Sequence, residues 1–133
     1  MLSKVYSFGI AGLDAYPITI ETDLSPGLPS FTIVGLPDNA IKESRERVRA
    51  AIKNCGLTFP AGRITVNLSP ADTKKEGPGF DLAIAIGILT AAGLLNPRFS
   101  QGLAFLGELS LDGAILPING TLSFAMAAHG YQG

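Results

Sequence analysis

Fourteen almost wholly apolar residues, Leu82 to Leu95, follow directly on the charged loop Lys74-Lys75-Glu76-Gly77-Pro78-Gly79-Phe80-Asp81. No other stretch constrains the fold as much. The run falls short of the roughly 18 residues that suggest a membrane-spanning helix. It is longer than an ordinary strand of about 4–8 residues. It therefore reads as a buried core helix, entered through a Gly-Pro-Gly turn. With 133 residues, the chain is close to the commonest size of one domain. Hydrophobic residues make up 47% and charged residues 16%, which excludes disorder and leaves little charge to cover the surface. Some apolar surface is expected to meet a partner.

A helix N-terminus behind a glycine-rich turn can bind an anion, hold a nucleophile or simply turn a corner. The phosphate reading has little support. A P-loop needs Gly-Lys followed by Ser or Thr, no Gly-Lys pair occurs, and the Gly-x-Gly-x-x-Gly fingerprint is also missing. A structural turn, with Asp81 complementing the helix dipole, is the favoured alternative.

Upstream, β-forming residues cluster between turn residues: Lys4 to Ile10, Pro17 to Leu24 and Ser30 to Leu36. This spacing predicts a three-strand meander. From Asp38 to Cys55 the period changes, with Ile41, Arg45, Val48 and Ile52 at helical spacing, Asp38 a plausible N-cap and Gly56 a stop. Arg63 to Leu68 is a fourth strand. After the Leu82 helix, Leu103 to Leu109 is expected to pair with Ala114 to Ile118 across an Asp112-Gly113 turn. A last helix starts near Thr121, with Phe124, Ala127 and Ala128 on one face. The order predicts an α+β domain of one sheet with helices on one face. Because the chain stops at His129-Gly130-Tyr131-Gln132-Gly133, where another strand would be expected, it reads as a fragment.

The net charge of −1 and a pI near 5.7 lack the basic excess of an autonomous nucleic-acid-binding domain. Local charge differs. The Asp38 to Cys55 helix carries Lys42, Arg45, Arg47, Arg49 and Lys53 against Asp38, Glu43 and Glu46, a local +2. Lys42, Arg45, Arg49 and Lys53, with Lys74 and Lys75 in the loop, are the candidate contacts to DNA or to other subunits. The alternative is a solvated face with intrahelical pairs such as Glu43 with Arg47, or Glu46 with Arg49 or Lys42. Cys55 is the single cysteine, which excludes an internal disulfide and a cysteine zinc site, fits a reducing cytoplasm, and suggests core packing at a helix end. His129, the single histidine, lacks ligand neighbours at metal-binding spacing. No metal, cofactor or catalytic residue is assigned, and Met1 to Tyr6 show no signal-peptide pattern.

Several blocks together resemble one family: Gly35-Leu36-Pro37-Asp38, Glu43 to Ile52, Ile64 to Asp72, and Lys75-Glu76-Gly77. They are similar to the N-terminal domain of the magnesium-chelatase-like AAA+ ATPases, the group of the competence protein ComM and YifB. The resemblance covers effectively the whole chain. It implies a fold like domain two of ribosomal protein S5, shared with the proteolytic domain of Lon. It implies a cytoplasmic, membrane-free protein in which this domain precedes an AAA+ motor holding ATP and Mg. Its partners would be that motor, five further copies in a hexameric ring, and DNA during recombination and natural transformation.

The comparison with Lon carries a chemical test. Lon places a serine after Gly-Pro and a lysine after Leu-Pro-Ile-Gly-Gly. Gly79 and Leu122 stand at those two positions in this chain, and neither supplies a nucleophile or a base. The reading is thus an accessory, non-catalytic domain serving ring assembly or DNA guidance. Its rivals are a degenerate Lon-like peptide-binding or proteolytic module, or a subunit of a magnesium-chelatase-type complex.

Overall fold

A computed structural model of the chain describes residues 1–11, 14–70, 75 and 79–116. The sheet has four strands: β1 (Leu2–Ala11), β2 (Asp14–Ser25), β3 (Ser30–Val34) and β4 (Arg63–Ser69). Helix α1 (Asp38–Asn54) connects β3 to β4, and α2 (Asp81–Ala91) follows β4. A 3-10 turn at Pro97–Phe99 leads to the two-residue strands β5 (Glu108–Leu109) and β6 (Ile115–Leu116). No helix among the described residues is long and apolar enough to cross a membrane.

One face of the sheet is apolar because side chains alternate along each strand. Val5, Ile18, Ile20, Phe31, Ile33, Ile64, Val66 and Leu68 are all buried on it, and the two helices cover them. Each such side chain contributes about 1.5–3 kcal/mol when fully buried. This is the expected α+β layer with helices on one face. Helix α2 approaches β1 and β2 closely at Gly87: Ser3 Oγ donates to the Gly87 carbonyl over 2.7 Å. A Cβ at Gly87 would lie 2.7 Å from Thr22 Oγ1.

The order of the sheet corrects the predicted meander. It runs β1-β2-β4-β3, with β1/β2 and β2/β4 antiparallel and β3/β4 parallel. Strand β3 skips one position after β2, and α1 returns the chain to fill the gap with β4. Residues 26–29 can do this because four extended residues reach about 13 Å, more than the two strand spacings of about 4.8 Å required.

Both helices stop where a glycine allows it. Gly56 (φ 84°) and Gly93 (φ 78°) take up the left-handed conformation. Their N–H groups and those of Leu57 and Leu94 bond back to the last turns in the Schellman pattern. The start of α1 differs from expectation. Pro37, with φ −58° and ψ 143°, occupies the cap position, and Asp38 is the first helical residue with no side-chain cap bond. Cys55 is exposed rather than in the core, because it sits at the C-cap, where the chain leaves the helix.

The expected hairpin shrinks to two pairs, Glu108 with Leu116 and Leu109 with Ile115. The residues before it turn to other partners: Ala104 bridges Tyr6, and Phe105 N–H donates to the Tyr6 carbonyl, which lengthens the sheet beyond β1. Ile118 and the helix expected near Thr121, with Phe124, Ala127, Ala128 and His129, lie outside the described residues.

Candidate functional site

Asp81 is the first residue of an otherwise apolar helix and is 1% exposed. A carboxylate at that depth needs donors, and four groups supply them. Ser44 Oγ of α1 donates to Oδ1 at 2.9 Å and Arg47 Nη2 to the same oxygen at 3.2 Å. Arg47 Nε donates to Oδ2 at 2.5 Å, and Leu109 N–H of β5 to Oδ2 at 3.3 Å. One carboxylate thus ties α1, α2 and β5 together. The hydrogen bond to Asp81 holds the Arg47 guanidinium above its ordinary pKa. Partial burial opposes this, and the charges of Asp81, Glu108 and Glu43 add to it.

The mouth of α2 is closed around this knot. Gly107 N–H donates to the Gly79 carbonyl at 2.8 Å, and Leu82 N–H donates to the Gly107 carbonyl at 3.0 Å. One first-turn donor is therefore already engaged, and a carboxylate occupies the turn. The Gly79 position carries no side chain, and Leu122 lies outside the described residues.

The candidate contacts separate into two groups. On α1, residues 42, 49 and 53 fall on one stripe at 100° per residue, and Lys42, Arg49 and Lys53 are all exposed. Arg45 flanks the stripe half-buried, its Nη1 donating to the Phe31 carbonyl at 3.0 Å. Arg49 lies over the rings of Phe31 and Phe59, 5.7 Å and 5.3 Å from their centroids, a cation–π arrangement that restrains it. Lys75 is 3% exposed and its Nζ donates to the Pro70 carbonyl at 2.7 Å. It is therefore a buried anchor of the loop rather than a surface contact, because a buried ammonium needs its donors satisfied. Lys74 lies outside the described residues.

The sequence pairs Arg47 with Glu43, whereas the structure pairs it with Asp81. A lone carboxylate at the head of a buried helix is a signal for a cationic partner. The pattern of α1 does not say which of its five basic residues provides it.

Residues 20–132 match the model of the family described as subunit ChlI of Mg-chelatase. The chain belongs to that family. Among relatives, it is 46% identical over 127 residues to the "Uncharacterized protein YifB" of Salmonella typhimurium and to the "Competence protein ComM" of Haemophilus influenzae. Each match covers 96% of this chain and 25% of the relative, so the chain spans about a quarter of the length of the ChlI-family proteins it matches. A more distant likeness, 30% over 116 residues, reaches the Lon protease of Flavobacterium johnsoniae. It covers 82% of this chain and 14% of that one.

Proposed function

We propose that this ChlI-family domain is a non-catalytic contact module of a ComM-type AAA+ ATPase acting in DNA recombination. In this reading it helps the ring assemble or guides DNA, and ATP and Mg belong to the motor domain. The observation that carries the proposal is the exposed stripe of Lys42, Arg49 and Lys53 on α1. Nothing at Gly79 can attack a peptide bond, so the module works by contact rather than by chemistry. The ComM relative's name, a competence protein, supports the choice of DNA process.

The test uses the full-length protein with Lys42, Arg49 and Lys53 reversed to glutamate. DNA affinity is read by fluorescence anisotropy across a salt series, and mass by light scattering. If the stripe faces duplex phosphates, the log–log salt slope falls by about 0.9 for each phosphate that is no longer neutralised. If it faces a neighbouring subunit, the mass of the assembly falls instead. Unchanged affinity, slope and mass would remove the stripe from the proposal. Incubation with an unfolded polypeptide gives no cleavage on this reading, and turnover abolished by changes at Gly79 would favour the proteolytic alternative.

A further inference from the structure

The hydrogen bonds of β1 show which of its backbone groups face outward. Leu24 N–H donates to the Met1 carbonyl and the Met1 ammonium to the Leu24 carbonyl, so Met1, Ser3 and Val5 face β2. Leu2 and Lys4 therefore present their backbone groups to the outer edge. Tyr6 shares that phase, and its carbonyl accepts from Phe105 N–H. Among the described residues, the bridge of Ala104 to Tyr6 and the Phe105 bond are the strand-like cover on this edge, and neither reaches Leu2 or Lys4. Leu2 is 60% exposed as a whole residue, and Lys4 is exposed as well.

Apolar side chains gather on the same border. Phe99 stacks on Phe105 with 6.2 Å between centroids, and Leu103 precedes the bridge at Ala104. Helix α2 runs from Leu82, bonded to Gly107, back to Gly87, bonded to Ser3, and so delivers Leu94 toward the Met1 end of the strand. Met1, Leu2, Leu94, Phe99 and Leu103 are all among the exposed large hydrophobic residues. Apolar side chains massed in this way mark a contact surface. At about 100 Å² each they supply about 1,000 Å² over two copies, the area at which a specific interface begins.

We infer that the free edge of β1, Met1–Val5, pairs with the same edge of a second copy, antiparallel about a two-fold axis at Ser3. Leu2 of one copy then exchanges both backbone bonds with the partner's Lys4, and Lys4 with the partner's Leu2. The free length selects this register. An axis at Ser3 sets Met1 against Val5, so the partner's strand stops short of Tyr6, whereas an axis at Lys4 sets Leu2 against Tyr6 and runs into the Phe105 cover. A lysine on an edge ordinarily discourages pairing. Here Lys4 stands opposite Glu21 of β2 and lies beside the partner's Leu2, where its stem covers that side chain. No like charges are directly opposed. A nucleic-acid backbone fits less well, since phosphates accept from the Leu2 and Lys4 N–H groups but give nothing to their carbonyls. The contact is isologous and closes no ring by itself, so it goes beyond the contact-module reading and uses β1 rather than the α1 stripe.

The test is sedimentation equilibrium of the 133-residue chain up to about 1 mM, with a Kd of about 0.1–1 mM expected for an interface of this size. The mass should rise from 13.8 kDa toward twice that value. Lys4→Pro removes an outward N–H and spares the bonds to β2, a position where an edge strand accepts proline. It deletes two of the four bonds across the axis, so pairing should weaken about tenfold or more while the urea midpoint stays nearly fixed. Leu103→Glu, which lies off the strand, should also weaken pairing. Amide exchange of the unaltered chain gives a reading that needs no variant to fold: the Lys4 N–H should slow as concentration rises, and those of Ser3 and Val5, already held by β2, should not. A mass that stays at 13.8 kDa overturns the inference. A dimer that Lys4→Pro leaves at parental affinity, or one in which Lys4 exchange does not slow, overturns strand pairing. Either failure leaves the α1 stripe to its own charge-reversal test.

Discussion

Replacing Arg47 by methionine tests whether the Asp81 knot is what joins the helices. Methionine retains most of the aliphatic stem and removes two of the four donors on a carboxylate that is 1% exposed. Ser44 Oγ and Leu109 N–H remain. Breaking a buried pair by deleting one partner costs about 3–5 kcal/mol, since the surviving charge is left uncompensated. The Arg47 side chain is itself 21% exposed, and the site can admit some water when it is gone. The lower end, about 3 kcal/mol, is therefore expected. A domain of this size has about 5–15 kcal/mol in total, and the loss corresponds to a fall in Tm of about 10–15 °C.

Urea unfolding followed by circular dichroism measures the cost, and a double-mutant cycle assigns it. Asp81→Leu alone also destabilises, since it orphans Ser44 Oγ and Leu109 N–H. The double variant Arg47→Met/Asp81→Leu is expected to be about 2 kcal/mol more stable than the sum of the single costs predicts. Costs that add within about 0.5 kcal/mol would refute the coupling, and an Arg47→Met cost below about 1 kcal/mol would refute the role of the pair. The sign of the pH dependence follows from the raised pKa of Arg47. A cation with a raised folded pKa keeps its full contribution below its unfolded pKa and loses it only as pH rises through the folded one. For arginine that window lies far above neutrality, so the Arg47→Met cost should be flat from about pH 6 to pH 9.

Three further outcomes are expected. Gly87→Ala places a Cβ 2.7 Å from Thr22 Oγ1 and should cost about 1–3 kcal/mol in urea unfolding by pushing α2 off β1 and β2; a neutral result would show that the helix shifts freely. Thr22 Oγ1 is buried and has no hydrogen-bond partner among the described residues, so Thr22→Val should raise stability by about 1 kcal/mol, whereas a loss would reveal a hidden partner. Asp112 accepts hydrogen bonds from the Ser110 hydroxyl and the Ala114 N–H, which hold its carboxyl below the usual aspartate value; a lowered pKa gives turn stability that is present above the ordinary value near 3.9 and lost as pH falls through the lower one, so NMR titration should place Asp112 below that value and Ser110→Ala should move it back up.

What the sequence made legible follows from periodicity and turn chemistry. The strand at 63–69, helix α1, the burial of α2 and the Gly56 stop all lie in local pattern, whereas the apolar run to Leu95 hides the stop at Gly93, where α2 has already ended at Ala91. Pairing was not local. The alternation of β3 is the same whether it lies beside β2 or beside β4, and only the crossover of α1 decides. The hairpin was overestimated for a related reason. Phe105 and Gly107 have partners at Tyr6, Gly79 and Leu82 that are too distant in sequence to read from a turn signal. The candidate cations were found by charge alone, and charge does not report burial. Lys42, Arg49 and Lys53 point to solvent, while Lys75 is drawn inward to the Pro70 carbonyl.

A nucleophile at the mouth of α2 would need an open loop and a free oxyanion donor. Among the described residues, Asp81 draws Arg47 inward, Gly107 bonds Gly79 and Leu82, and Lys75 holds Pro70. The exposed cations Lys42, Arg49 and Lys53 lie instead along the outer stripe of α1. On the proposed reading as a contact module, selection on this domain should act on affinity and geometry along α1. Substitutions there should change assembly or DNA binding while leaving the unfolding transition nearly unmoved, whereas substitutions at Arg47 or Asp81 should shift the transition first.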